Sequence, residues 1–97
     1  MATVVYSRRA LDDLERLIGF LAREDPSVAM RSAAAIRSAV SLLAEHPLVG
    51  RVRPRDIREL VISFGKTGYV ALYRFVAHRS EVRVLGVRHQ RELDFLP

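Results

Sequence analysis

The sequence predicts an α+β domain in which a helical hairpin packs on one face of a mainly antiparallel sheet, in the order β-α-α-β-β-β. Three observations carry this. A short β-branched and aromatic segment opens the chain, apolar residues then recur at helical spacing, and from residue 57 onward the period changes to two, with turn residues between the runs. The chain has 97 residues, 49% of them apolar, which is enough for one compact core. No linker, repeat or low-complexity segment interrupts it, so residues 1–97 read as a single domain.

Thr3, Val4, Val5 and Tyr6 make the first strand. Ser7 suits the N-cap of the helix that follows, because its hydroxyl can accept a bond from an orphan amide of the first turn. Ala10, Leu14, Leu17 and Leu21, with Leu11 and Ile18 beside them, form one apolar stripe over residues 8–24. Arg9, Asp12, Asp13, Arg16 and Arg23 are assigned to the opposite, solvated face, while Phe20 lies off the stripe, as a helix–helix contact or an exposed apolar spot for a partner. Asp25 and Pro26 then supply an N-cap and a first helical residue, opening a second helix over 26–45. Its apolar row is Ala29, Ala33, Ile36, Val40 and Leu43, and the very short link makes the two helices antiparallel neighbours. Leu14, Leu17, Leu21, Ile36, Val40 and Leu43 are therefore expected between helices and sheet.

His46 and Pro47 stop the second helix, and a loop over 48–56 carries Gly50 and three alternate arginines. Strands follow over 57–64, 69–76 and 82–89, with turns at 65–68 and 77–81 between them. Residues 90–97 form a polar tail in which Leu93, Phe95 and Leu96 are available for docking.

The chain has no cysteine, which excludes disulfides, thiolate catalysis and cysteine-ligated zinc and fits a reducing compartment. No basic, apolar leader and no stretch of membrane-spanning length is present, so a cytoplasmic location is expected. The net charge is +5, unevenly placed. Residues 1–50 hold six basic and six acidic side chains, whereas residues 51–91 hold ten basic and three acidic, a balance of +7. A neutral half joined to a basic half suggests a surface that meets a polyanion or an acidic protein.

No phosphate-binding glycine loop is present. Gly65-Lys66-Thr67-Gly68 shares letters with one but falls between strands. His46, His78 and His89 are far apart and not at metal-ligand spacing, so neither metal nor cofactor is expected. His46 suits a helix C-terminus and His78 a solvated turn. His89 differs, because it ends a strand beside Arg88 with Arg91 close by. RNA cleavage through the 2′-hydroxyl needs a base, an acid and cations around the phosphate. Arg51, Arg53, Arg58, Arg83, Arg88 and Arg91 are the candidate cations and His89 the candidate acid–base group, whereas Tyr69 and Tyr73 fall where their rings pack. A hydrogen-bonding strand-end role for His89 and a non-catalytic nucleic-acid or protein-binding module stay open beside this reading.

Several motifs, in order, resemble the RelE/ParE superfamily: Ala10-Leu11-Asp12-Asp13-Leu14; Leu43-Ala44-Glu45-His46-Pro47 followed by Gly50-Arg51; Ile57-Arg58-Glu59-Leu60-Val61; Gly68-Tyr69 leading into Leu72-Tyr73-Arg74; and Val84-Leu85-Gly86-Val87-Arg88-His89-Gln90-Arg91. The resemblance covers nearly the whole chain and has the same element order. It implies a toxin of a type II toxin–antitoxin system, neutralised by a cognate antitoxin that wraps it, with Phe20 a candidate contact. It also implies one of two targets: the ribosome and its mRNA for RelE-like endoribonucleases, DNA gyrase for ParE-like inhibitors. Where RelE-like members carry an arginine before Gly68-Tyr69, this chain has Gly65 and Lys66. Near the end of the last strand the matching position falls at Gln90, and the C-terminal tyrosine is met by Phe95, which has no hydroxyl. The ParE-like reading is therefore the expectation, with Arg51, Arg53, Arg58, Arg83, Arg88, His89 and Arg91 as target-binding residues.

Overall fold

The computed structural model describes residues 1–65 and 67–90. Five strands form one sheet in the order β1-β5-β4-β3-β2, where β1 is Thr3–Tyr6, β2 Arg51–Val52, β3 Arg58–Phe64, β4 Thr67–Val76 and β5 Glu81–His89. The last three strands make an antiparallel meander, and β1 joins it in parallel along the outer edge of β5. Two helices, α1 (Arg8–Glu24) and α2 (Pro26–Ser41), intervene between β1 and the rest of the sheet. The caps are those the sequence offers. Ser7 Oγ accepts from Ala10 N at 3.0 Å, and the Asp25 carboxylate accepts from the amides of Ser27 and Val28.

The helices cover one face of the sheet only. Tyr69, Ala71 and Tyr73 of β4, Val82, Val84 and Val87 of β5 and Ile62 of β3 meet Ala10 and Leu17 of α1 and Ile36, Val40 and Leu43 behind them. Leu14 and Leu21 pack against this core while partly buried. A register shift lies between Leu72 and Tyr73, which pair with Gly86 and Val84, so Leu85 is the extra residue of a bulge in β5. The bulge keeps Val84 and Val87 on the same, helix-covered face.

Four expectations are corrected. The second helix stops at Ser41, and Leu42–Ala44 tighten into a 3-10 turn. Thr67 and Gly68 already pair with Phe64 and Ser63, so the β3–β4 connection is shorter than the four residues expected, with Gly65 in the left-handed region at φ +59°. Arg51 and Val52 form a strand where a loop was expected. Leu11, placed beside the apolar stripe, is 49% exposed, while Asp13, placed on the solvated face, is buried.

The β2–β3 hairpin closes through a strained tip. Ile57 N donates to Pro54 O at 3.4 Å, and both residues between them have positive φ, Arg55 at 66° and Asp56 at 61°. This is the pattern of a type I′ turn, which favours Asn and Gly at its centre. Replacing Arg55 with Asn and Asp56 with Gly is expected to raise stability by about 1 kcal/mol, read as a higher denaturant midpoint at unchanged slope.

Candidate functional site

Where β1 ends, β5 loses its strand neighbour. The last pair is Tyr6 with Val84, and beyond it α1 takes over the exposed edge of β5. Ser7 Oγ donates to Leu85 O at 3.2 Å, and Asp13 Oδ2 accepts from Val87 N at 3.0 Å. The same carboxylate oxygen receives Arg88 Nη1. Gly86 leaves the room this requires, since a Cβ there would lie 3.0 Å from Asp13 Oδ2. A helix side chain thus occupies an acceptor position that a neighbouring strand would otherwise fill. Asp13 was missed by the pattern reading although a signal was present: it stands at helical spacing from both Ala10 and Leu17, on the buried row.

The loop before β3 is built around Tyr73. Its hydroxyl donates to Pro47 O at 2.8 Å and accepts from Gly50 N at 2.9 Å. Arg58 Nη1 donates to both Leu48 O and Gly50 O at 2.9 Å. The expectation that Tyr69 and Tyr73 pack holds, and Tyr73 also fastens the loop that carries Leu48, Val49 and Arg51 outward. Arg58, expected to contact a target, spends its guanidinium on this loop.

The candidate site residues do not converge. Arg88 is 9% exposed and committed to Asp13. His89 lies opposite Tyr69 on the helix-covered face, its ring edge-on to the Tyr69 ring at a centroid distance of 5.6 Å and its Nε2 in contact with Thr67 Oγ1. Arg51 and Arg53 both reach Glu59, at 3.3 and 3.5 Å, and Arg83 reaches Glu81 at 2.9 Å. By strand alternation Glu59 and Arg83 belong to the face without helices. Glu59 pairs with Leu72, and Leu72 with Gly86, so His89 lies three residues further along β5 than this cluster, on the other side of the sheet. Arg91 lies outside the described residues, as do Lys66 and Phe95. Phe20 is 61% exposed on α1, which resolves its two readings in favour of an exposed apolar spot.

Burial raises the Tyr6 hydroxyl above its ordinary pKa, with Arg37 opposing the shift, so this tyrosine holds its proton at neutral pH. Among the described residues no group of His, Asp and Glu side chains could hold a metal ion, and no helix is long and apolar enough to cross a membrane.

A family model described as the ParE toxin of the type II toxin–antitoxin system parDE matches residues 4–94. The chain belongs to this family. Among relatives, the toxin RelE3 of Caulobacter vibrioides is 37% identical over 95% of this chain and 98% of its own length. RelE1 of the same organism is 38% identical over 93% and 95%. Among solved structures, the chromosomal ParDE system of P. aeruginosa superposes with a TM-score of 0.75 at 20% identity, covering 92% of this chain and 96% of that one. The RelBE2 complex of Mycobacterium tuberculosis gives 0.61 at 28% identity, covering 92% and 98%. The fold and the assignment to the toxins of type II systems agree with the resemblance read from the sequence.

Proposed function

We propose that this toxin acts by binding DNA gyrase rather than by cutting RNA, in the cytoplasm, and that a cognate antitoxin neutralises it. The observation that carries the reading is the separation of His89 from the solvent-facing arginines by the thickness of the sheet. Cleavage needs an acid–base group and cations around one phosphate, within hydrogen-bond reach of it. Here the histidine faces the helices, Arg88 and Arg58 are occupied by the protein itself, and Arg51, Arg53 and Arg83 lie on the other face. Binding needs only a surface, and the last three arginines supply one.

For the antitoxin, two features offer a seat. β2 pairs only with Arg58 and Glu59, so among the described residues no strand lies beside the outer edge of β3 from Leu60 onward. An extended segment can add there. Phe20 is the candidate contact on the helical side. The ribosome and its mRNA are the alternative target, supported by His89 and by relatives that bear the name RelE.

The test compares supercoiling by purified gyrase and ribosome-dependent mRNA cleavage. The native toxin is expected to inhibit supercoiling, His89→Gln to retain most of that inhibition, and Arg83→Gln to reduce it more. A ribonuclease would instead lose about 10²–10⁴ in rate with the imidazole. Loss of mRNA cleavage in His89→Gln, with supercoiling untouched by the native protein, would overturn the proposal.

A further inference from the structure

The helix-free face of the sheet has an arrangement that folding alone does not favour. Arg74 of β4 stands directly opposite Arg83 of β5, on strands about 4.8 Å apart. Like charges in that position are destabilising. Arg83 is partly offset by Glu81, but Arg74 has no carboxylate within ion-pair reach among the described residues. Its Nε instead donates to the carbonyl of Arg55 at 3.1 Å, at the tip whose two left-handed residues are themselves strained. Strain and repulsion thus occur side by side. The Glu81 ion pair and the Arg55 carbonyl offset these costs only in part, and such costs concentrate where a surface is used.

Charge and composition narrow the occupant. With Arg51, Arg53 and Arg55 on the adjoining hairpin, five arginines stand against Asp56, Glu59 and Glu81, so an acidic partner is favoured. The aromatic rings of the described strands, Tyr6, Phe64, Tyr69, Tyr73 and Phe75, pack into the core on the helical side. Among the described residues the open face therefore has no aromatic ring on which a base could stack, a contact that single-stranded nucleic acid binding commonly uses. It does have Val5, 38% exposed, and Val61, 53% exposed. Arginine beside scattered aliphatic side chains suits a protein-binding face, since arginine is enriched at such interfaces. We propose that this face, centred on Arg74 and Arg83, is a docking surface for an acidic protein segment whose carboxylates lie between the two guanidinium groups. The proposal extends the binding reading above. Its test uses neither gyrase nor ribosome, so failure of one can be told from failure of the other.

The probe is a fluorescently labelled oligoglutamate peptide, with single-stranded and duplex DNA oligonucleotides titrated in parallel. The native toxin is expected to bind the peptide, and R74Q/R83Q to weaken it about tenfold or more. R9Q/R31Q, which removes the same charge from exposed positions on the two helices, is expected to change it little. R74Q/R83Q should also unfold at the same or a higher temperature, because relief of repulsion is a gain that loss of a structural contact cannot give. R74K/R83K keeps the charge, guards against misfolding of the neutral pair, and should still bind more weakly because lysine lacks the bidentate fork. Absence of peptide binding, or equal weakening by the two neutral pairs, overturns the proposal. Tighter binding of either oligonucleotide with the same dependence on Arg74 and Arg83 also overturns it, in favour of nucleic acid.

Discussion

Asp13→Ala is expected to cost about 3–5 kcal/mol, because it leaves the buried Arg88 charge without its partner. The two side chains are 10% and 11% exposed, so water offers little replacement, and Val87 N loses its acceptor as well. That is a large share of the roughly 5–15 kcal/mol that holds a domain of this kind together. Asp13→Asn keeps an oxygen for Val87 N but not the charge, and should fall between native and alanine. D13L/R88L removes both charges and should recover much of the loss, since a buried ion pair contributes little over apolar packing of similar volume. Chemical denaturation of the four proteins checks the order. A native-like midpoint for Asp13→Ala would mean that the pair is hydrated and that α1 does not hold the edge of β5.

Tyr73→Ala is expected to cost about 3–5 kcal/mol, the usual range for deleting a buried aromatic ring. The ring is fully buried, and its hydroxyl bridges Pro47 O and Gly50 N. Tyr73→Phe separates the two contributions. It keeps the ring, leaves two backbone groups of the loop unmatched, and should cost about 1–3 kcal/mol. Amide exchange at Gly50 should quicken in both variants. Gly50 is itself closely packed in the native protein, where a Cβ on it would lie 2.6 Å from the Tyr73 hydroxyl and 2.9 Å from Glu59 O. Unchanged exchange at Gly50 in Tyr73→Phe would show that the loop is held by Arg58 alone.

Both sites depend on contacts that differ in how far they reach along the chain, and this governs what could be read beforehand. The helices, their caps at Ser7 and Asp25, the meander and the packing of Tyr69 and Tyr73 follow from spacing within a few residues, where periodicity and capping chemistry operate. The family was legible for a related reason: its motifs are short runs kept in order along the chain. Which arginines meet solvent was not legible. Arg51, Arg58, Arg83 and Arg88 look alike as letters in a basic half. Yet Arg88 is committed to a carboxylate 75 residues away, and Arg58 to carbonyls of a loop shaped by Tyr73, 23 residues beyond Gly50. Strand pairing sets His89 and Arg83 on opposite faces, through alternation together with a one-residue bulge that no local pattern marks. The sequence by itself determined the elements, the single apolar core and the basic balance of the second half. Tertiary structure alone decided which charges are buried, which are paired and which face outward, because desolvation and pairing depend on neighbours that only folding brings together.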